Sequence, residues 1–476
     1  MKFEKNHYFY FFVCFVFLGI VSFELFSDGM FMDGLMYASI SRNMSEGLGS
    51  FWQPHFSNTL LNDFYEHPPL AFGLQSIWFS IFGDSIFVER LYSLFTYILV
   101  GYMIVLIWGK MTNDRKTAWI PLFFWIITSD VIWSVSNNML ENTMTVFVCL
   151  SVLFYFKSLE NKRFLWILLS GFSLSLGLLT KGFFCLYIWS IPFFMWLFKR
   201  ERTFLQVLFE TIILVLSTIL PVALLYLFVP TAKNNMLHYF NKQVLGSIEK
   251  VITVDSRLNI VFVFFRNIIV HIVLAIIIVV IAFKNKLKKD LLNTNLKESL
   301  VLFAVVLSGI LPIMISMKQR NFYILTVYPL FALGISFLLY PVLKPLLDRI
   351  TTSSKWFRIF KILTVVIVFS SIALSVMQVN RIGRDKTVIN DCNEVINVVG
   401  KNTTVNICHE MHSVWNLHGY FARYGNVSLE RDQNNICQYY LSANDCNKEF
   451  LDEYYDIVPL KATNFKLYKR KEQKYE

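Results

Sequence analysis

Long apolar stretches, separated by short polar segments, fill the chain from its first residues to about residue 378. The first stretch, Tyr8 to Phe26, follows Lys5 and is long enough to cross about 30 Å of hydrocarbon as a helix. Ten further stretches lie near residues 86–108, 117–133, 142–156, 164–180, 184–198, 204–229, 259–283, 299–316, 322–343 and 358–378. The pattern predicts an α-helical polytopic membrane domain over residues 1–379, with about eleven spans.

Two apolar segments are open to a second interpretation. A signal peptide needs a small-x-small cleavage site after a short apolar core, and Gly19 to Asp28 offers none. The first stretch is therefore predicted to be a span. The stretch from Leu70 to Phe82 is short for a crossing, and its length is typical of a helix that lies in the membrane interface.

Composition and charge support a membrane protein. Hydrophobic residues make up 55% of the chain and charged residues only 16%, whereas soluble proteins are about 25% charged. The net charge of +11 would suggest a nucleic-acid partner in a soluble protein, but Lys and Arg concentrate in the loops on one side of the predicted membrane. This distribution predicts a multi-pass protein of the cell (inner) membrane, with a cytoplasmic N-terminus and no nucleic-acid partner.

The tail, residues 380–476, has a different composition and is predicted to lie outside the cytoplasm. Strand-like runs at Thr404 to Cys408 and Asn464 to Tyr468 alternate with helix-compatible segments such as Asp391 to Val399. We predict a small extracytoplasmic α/β domain. Four cysteines in an oxidising compartment allow two disulfides in three possible pairings, and the spacing does not choose among them. They are Cys392, Cys408, Cys437 and Cys446.

The segment at residues 27–85 is the longest loop of the membrane half, and it is predicted to be extracytoplasmic. Long ordered loops often carry function. Asp33 follows the first span closely, at the depth where lipid phosphates lie, so its carboxylate is placed to act as a general base toward an acceptor hydroxyl. Capping of the helix that follows is the alternative role for Asp33.

Several short motifs follow one another at characteristic spacing on the predicted outer side. In chain order they are Asp33-Gly34-x-x-Tyr37-Ala38-x-Ile40-Ser41-Arg42-x-Met44, Glu66-His67-Pro68-Pro69-Leu70, Arg90-Leu91, Leu178-Leu179-Thr180-Lys181-Gly182-Phe183, Lys318-Gln319-Arg320-Asn321-Phe322-Tyr323-Ile324-Leu325 and Tyr328-Pro329. This order resembles the large superfamily of membrane glycosyltransferases with the GT-C fold, and in particular its glycosyltransferase family 39-like members. The resemblance covers roughly residues 8–343. Within that superfamily the chain looks most like bacterial relatives of the dolichyl-phosphate-mannose protein mannosyltransferases and the lipid A aminoarabinose transferases.

The resemblance implies a hexosyl- or pentosyltransferase that takes a sugar from a polyprenyl-phosphate donor, with inversion and with Asp33 as base. The acceptor, whether lipid A, another glycan or a protein, stays open. No nucleotide-binding Gly-rich motif occurs in a cytoplasmic loop, which argues against a nucleotide sugar as donor. The expected partners are therefore the lipid-linked donor, the acceptor and membrane lipids.

A leaving phosphate needs cations, and Lys181, Lys318 and Arg320 stand at the outer ends of predicted spans, where they could contact it. The alternative is that these side chains only extend to the membrane interface. An acidic position of the family falls on Glu141, which is expected to orient the acceptor or to cap its helix. The predicted substrate-binding residues are Arg42, Glu66, His67, Arg90, Glu141, Lys181, Lys318, Arg320 and Tyr323.

Some relatives hold a divalent metal beside this loop with the Glu and a downstream His. Here His238 is displaced from the expected register, and the sequence around it lacks the expected Glu-His pair. His67 also replaces the lysine that family members often have, and imidazole is only partly protonated at neutral pH. We therefore predict no metal and no cofactor.

Two other classes of function remain for a protein with many spans. A transporter or flippase of lipid-linked saccharides would need spans and cations too, but such proteins usually show matching halves and spans broken by Gly or Pro. The sequence shows neither pattern. A sensor or scaffold would leave the acidic residues of the first loop unexplained, so a transferase is the favoured function.

Overall fold

The computed structural model describes residues 4–246, 251–285, 287, 291, 293–443, 446 and 448–471. It confirms the predicted fold class, because a helical membrane domain is followed by a small α/β domain after Gln378. The α-helices of the membrane domain are Lys5–Leu25, Met32–Ser45, Leu70–Phe82, Val88–Thr112, Trp119–Ile126, Ser129–Ser136, Leu140–Ser158, Arg163–Lys181, Ile191–Lys199, Phe204–Phe228, Pro230–His238, Asn259–Lys284, Leu296–Ile310, Tyr328–Asp348 and Lys355–Gln378.

Nine helical segments of the described chain are long and apolar enough to cross a membrane. The predicted span at 117–133 is a pair of helices, Arg115–Ile126 and Ser129–Ser136, bent by 83°. The predicted span at 184–198 is a 3₁₀ segment, Phe183–Ser190, that continues into the Ile191–Lys199 helix. Counting the bent pair and this shorter segment, the helices correspond to the eleven stretches predicted from the sequence.

The basic loops meet at the end of the membrane domain that carries the N-terminus. Ion pairs there join Lys5 to Asp348, Lys116 to Glu4, Lys344 to Asp114, Lys110 to Glu160, Arg163 and Arg202 to Glu210, and Lys199 to Glu298. The first loop and the α/β domain share the opposite end. This grouping agrees with the predicted topology, and the cytoplasmic assignment of the basic end stays a prediction.

The α/β domain contains a five-stranded sheet in the order β2-β1-β3-β5-β4. The strands are β1 (Thr404–Ile407), β2 (Ser428–Glu430), β3 (Tyr439–Ser442), β4 (Tyr455–Val458) and β5 (Lys466–Arg470). Strand β1 pairs in parallel with β2 and β3, whereas β5 is antiparallel to β3 and β4. The helices of this domain are Lys386–Val399, Trp415–Gly425 and Lys448–Tyr454.

The α/β domain docks onto the first loop through a buried polar contact. Arg423, which is 1% exposed, donates to both carboxylate oxygens of Glu89 at 3.0 Å and to Asp84 at 2.5 Å. Nearby, the helix of Arg423 approaches the Met32–Ser45 helix so closely that a Cβ on Gly419 would lie 3.1 Å from Leu35 Cβ. The domain is therefore packed against the loop that carries Asp33.

All seven cysteines belong to the described residues, and none forms a disulfide. Cys392 and Cys408 are buried in the core of the α/β domain, whereas Cys437 and Cys446 are partly exposed. The two disulfides that the sequence allows are therefore not formed in this structure.

Candidate active site

A cavity of about 810 Å³ opens at the end of the membrane domain that faces the α/β domain. Its lining combines charged and polar side chains with apolar ones such as Phe183, Leu186, Pro312 and Ile315. Seven of the ten predicted site residues line this cavity although they come from four separate parts of the chain. They are Asp33, Glu66, His67, Lys181, Lys318, Arg320 and Tyr323.

Asp33 is held at the cavity by the backbone of its own helix. The Phe31 N–H donates to Asn137 Oδ1 at 2.9 Å, and the Asn138 side-chain amide donates to the Gly34 carbonyl at 3.2 Å. A Cβ on Gly34 would lie 2.2 Å from the Asn137 carbonyl oxygen. Glycine at this position therefore allows the first turn of the helix to seat against the turn at residues 137–138.

The charge environment of Asp33 suits a proton acceptor. Burial raises the pKa of Asp33, whereas the positive charges of Lys181, Arg320 and Lys318 act to lower the pKa. A carboxyl group with a raised pKa holds a proton more tightly, and the three cations favour the ionised form from which it can accept one.

Lys181 forms a buried ion pair with Glu141. Its ammonium nitrogen lies 2.5 Å from Glu141 Oε1, and the two side chains are 2% and 1% exposed. The same nitrogen lies 5.0 Å from the centre of the Phe322 ring. Lys181 lines the cavity and Glu141 does not. In this geometry Glu141 contacts Lys181 and does not face the cavity.

Lys318 and Arg320 are positioned by the buried amide of Gln319. That amide donates to the carbonyls of Arg257 at 2.9 Å and Ser316 at 3.0 Å, and its oxygen accepts from the Ile260 N–H at 2.8 Å. Such a buried hydrogen-bonded side chain ties the segment at residues 316–320 to the neighbouring helix.

The ammonium of Lys318 is itself partly buried and donates to Gln243 at 2.9 Å. Burial lowers the pKa of Lys318, Glu66 opposes this effect, and the charges of Lys181 and Arg320 lower the pKa further. Since like charges repel, an anion placed among these three cations would relieve the repulsion.

Glu66 and His67 border the same cavity, and burial shifts the pKa of each side chain. Burial raises the pKa of Glu66, and the charge of Lys318 opposes the rise. Burial lowers the pKa of His67 well below its ordinary range, and Lys181 and Lys318 add to this. The neutral imidazole lies 3.1 Å from the Tyr37 hydroxyl. His67 is thus suited to hydrogen bonding and does not replace the positive charge of a lysine.

The described side chains do not form a ligand set for a metal made of protein groups alone. No group of three His, Cys, Asp or Glu residues lies close enough to hold an ion within the described ranges. His238 stacks on Tyr65 with ring centres 4.9 Å apart. The expectation that no metal is needed stays a prediction, because substrate phosphate oxygens also bind metal ions.

Arg42 and Arg90 do not line the cavity, contrary to their predicted contact with substrate. Arg42 donates to the carbonyls of Ala422 and Arg423, each at 3.0 Å. Arg90 donates to the carbonyls of Ile86 at 2.7 Å and Gly29 at 2.9 Å. Both arginines belong to motifs shared with the family. Such motifs include residues that maintain the fold as well as residues that contact substrate. Their buried guanidiniums connect the first loop to its neighbours.

Sequence reasoning missed several residues that line the cavity. Gln243 and Tyr239 come from the π-helical segment Tyr239–Leu245, and Trp415 comes from the α/β domain. The sequence signal for Tyr239 is indirect and consists of the glycine at position 182, which leaves space for the tyrosine. Gly182 has a φ of +81°, and a Cβ there would lie 1.9 Å from the Tyr239 hydroxyl. Nothing in the sequence around Trp415 links it to a membrane cavity.

Comparisons with known proteins agree with this fold. The model of the dolichyl-phosphate-mannose-protein mannosyltransferase family matches residues 66–226. A curated undecaprenyl phosphate-alpha-4-amino-4-deoxy-L-arabinose arabinosyl transferase of Shewanella sediminis is 27% identical over 220 residues, which is 44% of this chain and 38% of that protein. The enzyme of the same name from Erwinia tasmaniensis is 24% identical over 193 residues, 40% of this chain and 34% of that protein. The alignments thus span less than half the length of either relative.

The fold is shared along nearly the whole chain with a solved structure. ArnT from Cupriavidus metallidurans, in a crystal structure with undecaprenyl phosphate, superimposes with a TM-score of 0.64 at 12% identity, covering 96% of this chain and 97% of that one. The predicted resemblance is confirmed. The chain has the GT-C fold, and residues 66–226 are similar in sequence to the mannosyltransferase family.

Proposed function

We propose that the protein is an integral membrane glycosyltransferase that moves a sugar from a polyprenyl-phosphate donor to an acceptor on the side of the α/β domain. The observation that carries the proposal is a carboxylate, Asp33, facing the same cavity as Lys181, Lys318 and Arg320. A base next to a cluster of cations is the pair of groups needed when a hydroxyl attacks and a phosphate leaves.

In the proposed reaction, the acceptor hydroxyl attacks the anomeric carbon while the bond from that carbon to the phosphate oxygen breaks. Asp33 takes the hydroxyl proton, and the departing polyprenyl phosphate keeps the bonding electrons as negative charge. Lys181, Lys318 and Arg320 stabilise this charge. Attack from the face opposite the phosphate inverts the anomeric configuration.

The shape of the cavity supports a lipid-linked donor. The apolar residues Phe183, Leu186, Pro312 and Ile315 line the same cavity as the cations, so the cavity offers apolar surface to a hydrocarbon chain and positive charge to a phosphate. Leu311 and Ile315, the two ends of the 3₁₀ segment Leu311–Ile315, are 49% and 62% exposed, so a polyprenyl chain could approach the cavity here from the bilayer. The relatives named for undecaprenyl phosphate sugars, and the ArnT structure with undecaprenyl phosphate, add support for the class of donor.

We place the active site on the periplasmic or exterior side of the inner membrane. This orientation is supported by the positive charge of the loops at the opposite end of the membrane domain. The acceptor would then be an envelope component, and the sugar is a hexose, a pentose or an amino sugar.

The test combines cells and purified protein. Mass spectrometry of envelope lipids and glycans, from cells with and without the gene, should reveal one missing sugar and thereby identify donor and acceptor. The purified protein in lipid nanodiscs should then release undecaprenyl phosphate from the matching lipid-linked sugar only when the acceptor is present. A flippase would move the donor between leaflets without releasing undecaprenyl phosphate. If none is released in the presence of the acceptor, the proposed transferase activity is refuted.

A further inference from the structure

A polar cluster of the α/β domain adjoins the proposed active site. Trp415 lines the cavity, and the guanidinium of Arg431 lies 5.3 Å from the centre of its indole ring. The Arg431 guanidinium also lies 3.2 Å from His418 Nε2. Because a guanidinium can only donate, His418 accepts this bond as a neutral imidazole. Burial, together with the charge of Arg431, lowers the pKa of His418 to about 4, which agrees with a neutral ring.

The hydrogen-bonding capacity of this cluster is incompletely used. Arg431 Nε is buried without a hydrogen-bond partner, and the same is true of His412 Nε2. Arg431 forms no ion pair with a carboxylate of the described residues, whereas Arg423 of the same domain contacts both Glu89 and Asp84. A buried polar group without a partner is costly, so a partner from outside the chain would stabilise this arrangement.

The cluster also lies where α/β sheets commonly bind ligands. His409 and His412 follow β1, and Arg431 follows β2. These strands are parallel, so the residues after them meet at one edge of the sheet. The carboxyl edge of parallel strands is the usual position of ligand sites in open α/β sheets.

We propose that this cluster is an acceptor subsite for an acidic saccharide. The sugar ring packs on the part of the Trp415 indole that faces the cavity, and its phosphate or carboxylate accepts hydrogen bonds from the Arg431 guanidinium. An indole offers a large, rigid apolar surface to the C–H face of a sugar, and a guanidinium matches the geometry of both anions. This inference rests on the proposed function and narrows the acceptor to an anionic glycan or glycolipid headgroup.

Binding is measured on the full-length protein in nanodiscs, by saturation-transfer NMR with small probes. Glucose 1-phosphate and glucuronate carry the two candidate anions, and glucose tests the ring alone. Inorganic phosphate, which has no C–H protons, tests the charge alone through its competition with glucose 1-phosphate. Arg431→Met should weaken binding of the acidic sugars about tenfold or more, as expected for a lost charge-assisted bond. Arg431→Lys should recover part of the affinity. Trp415→Ala should weaken the binding of glucose 1-phosphate and of glucuronate, and it should leave the binding of inorganic phosphate unchanged.

The matched control is Lys401→Met, because Lys401 is an exposed cation of the same domain at the opposite edge of β1. It should bind every probe as the wild type does. Preference for glucose 1-phosphate over glucuronate would identify phosphate as the anion, and the reverse a carboxylate. The proposal is overturned if no acidic sugar binds, or if Arg431→Met binds them as tightly as Lys401→Met. Since this assay needs no sugar transfer, it can fail while the transfer assay succeeds, and the two proposals stay distinguishable.

Discussion

Asp33 is subject to two opposing effects at the scale of a single residue. Burial favours its protonated form, and three nearby cations favour the ionised form. Asp33→Asn keeps the shape of the side chain and removes the proton-accepting oxygen, so the transfer rate should fall by about 10²- to 10⁴-fold. Purified protein with a lipid-linked donor gives the rate, and donor binding should persist. Asp63→Asn, at an exposed acid of the same loop, is the matched control. Near wild-type turnover of Asp33→Asn would show that Asp33 is not the base. The alternative role of capping its helix is not seen, because Phe31 is the N-cap and no side chain caps this helix.

The pH dependence of transfer should carry the signature of Asp33. The residue acts as a base only when it is ionised, so activity should fall as the pH drops through its pKa. Because burial raises the pKa, this loss should begin at a higher pH than for an ordinary aspartate. A rate profile in the wild type that stays flat into the range of ordinary aspartates would contradict this assignment.

Lys181 cannot be tested by a single substitution, since its removal leaves Glu141 buried and unpaired. Removing one partner of a buried ion pair costs about 3–5 kcal/mol. We expect Lys181→Met to lower the Tm strongly and the double variant Lys181→Met with Glu141→Gln to recover most of the loss. Donor use should stay weak in both, as in Arg320→Ala. Titration with the polyprenyl-phosphate sugar measures the dependence of the transfer rate on the donor. If the stable double variant shows normal donor dependence, Lys181 has a structural role.

Two features at the scale of elements place the site residues. The first is the close seating of the Met32–Ser45 helix on the turn at residues 137–138. Gly34→Ala would force that helix away, because its Cβ would lie 2.2 Å from a backbone oxygen. A displacement of about 1 Å can cost roughly 10²-fold in rate. Steady-state kinetics should show this loss, whereas Gly101→Ala, where the new Cβ meets only ordinary contacts at 3.6 Å, should be close to the wild type. Equal rates in the two variants would show that the helix position does not matter.

The second feature is the pair of irregular spans. In the bent pair, the break exposes the Phe124 carbonyl, and His271 lies 2.7 Å from it while Asn267 accepts from the Asp130 N–H at 3.1 Å. A backbone break in a membrane needs such partners. In the other span, a 3₁₀ half rises about 2 Å per residue, so Phe183 to Lys199 reaches roughly the thickness of the hydrocarbon. Both spans were found from hydropathy, which reports apolar length and gives no information on helix geometry.

At the scale of the whole molecule, a buried ion-pair network joins the α/β domain to the membrane domain. Arg423→Met leaves Glu89 buried without its partner, which should cost about 3–5 kcal/mol of docking or folding energy. The domain should then release, remove Trp415 from the cavity and expose the link at residues 379–385 to trypsin. Limited proteolysis measures this, with Lys401→Met as the control. Unchanged cleavage and activity would show that the network does not hold the domain.

The orientation in the membrane follows from the charge at the two ends of the molecule. Reporter fusions after Lys116 and after Gln378 should give opposite signals, cytoplasmic for the first and extracytoplasmic for the second. The same signal from both would refute the eleven-span topology and the side of the proposed site.

The sequence alone was sufficient for the membrane architecture, the separate α/β domain and seven residues of the site. Apolar length is a local property, and so is an acidic or basic residue at the end of a span. The sequence could not show that Arg42 and Arg90 are used in packing, that Glu141 pairs with Lys181, or that Trp415 reaches the cavity. Arg423 and Glu89 are 334 positions apart in the chain, and such partners are chosen by the folded arrangement. The tertiary structure therefore decided which charged side chains face the cavity, because burial and pairing depend on neighbours that are distant in sequence.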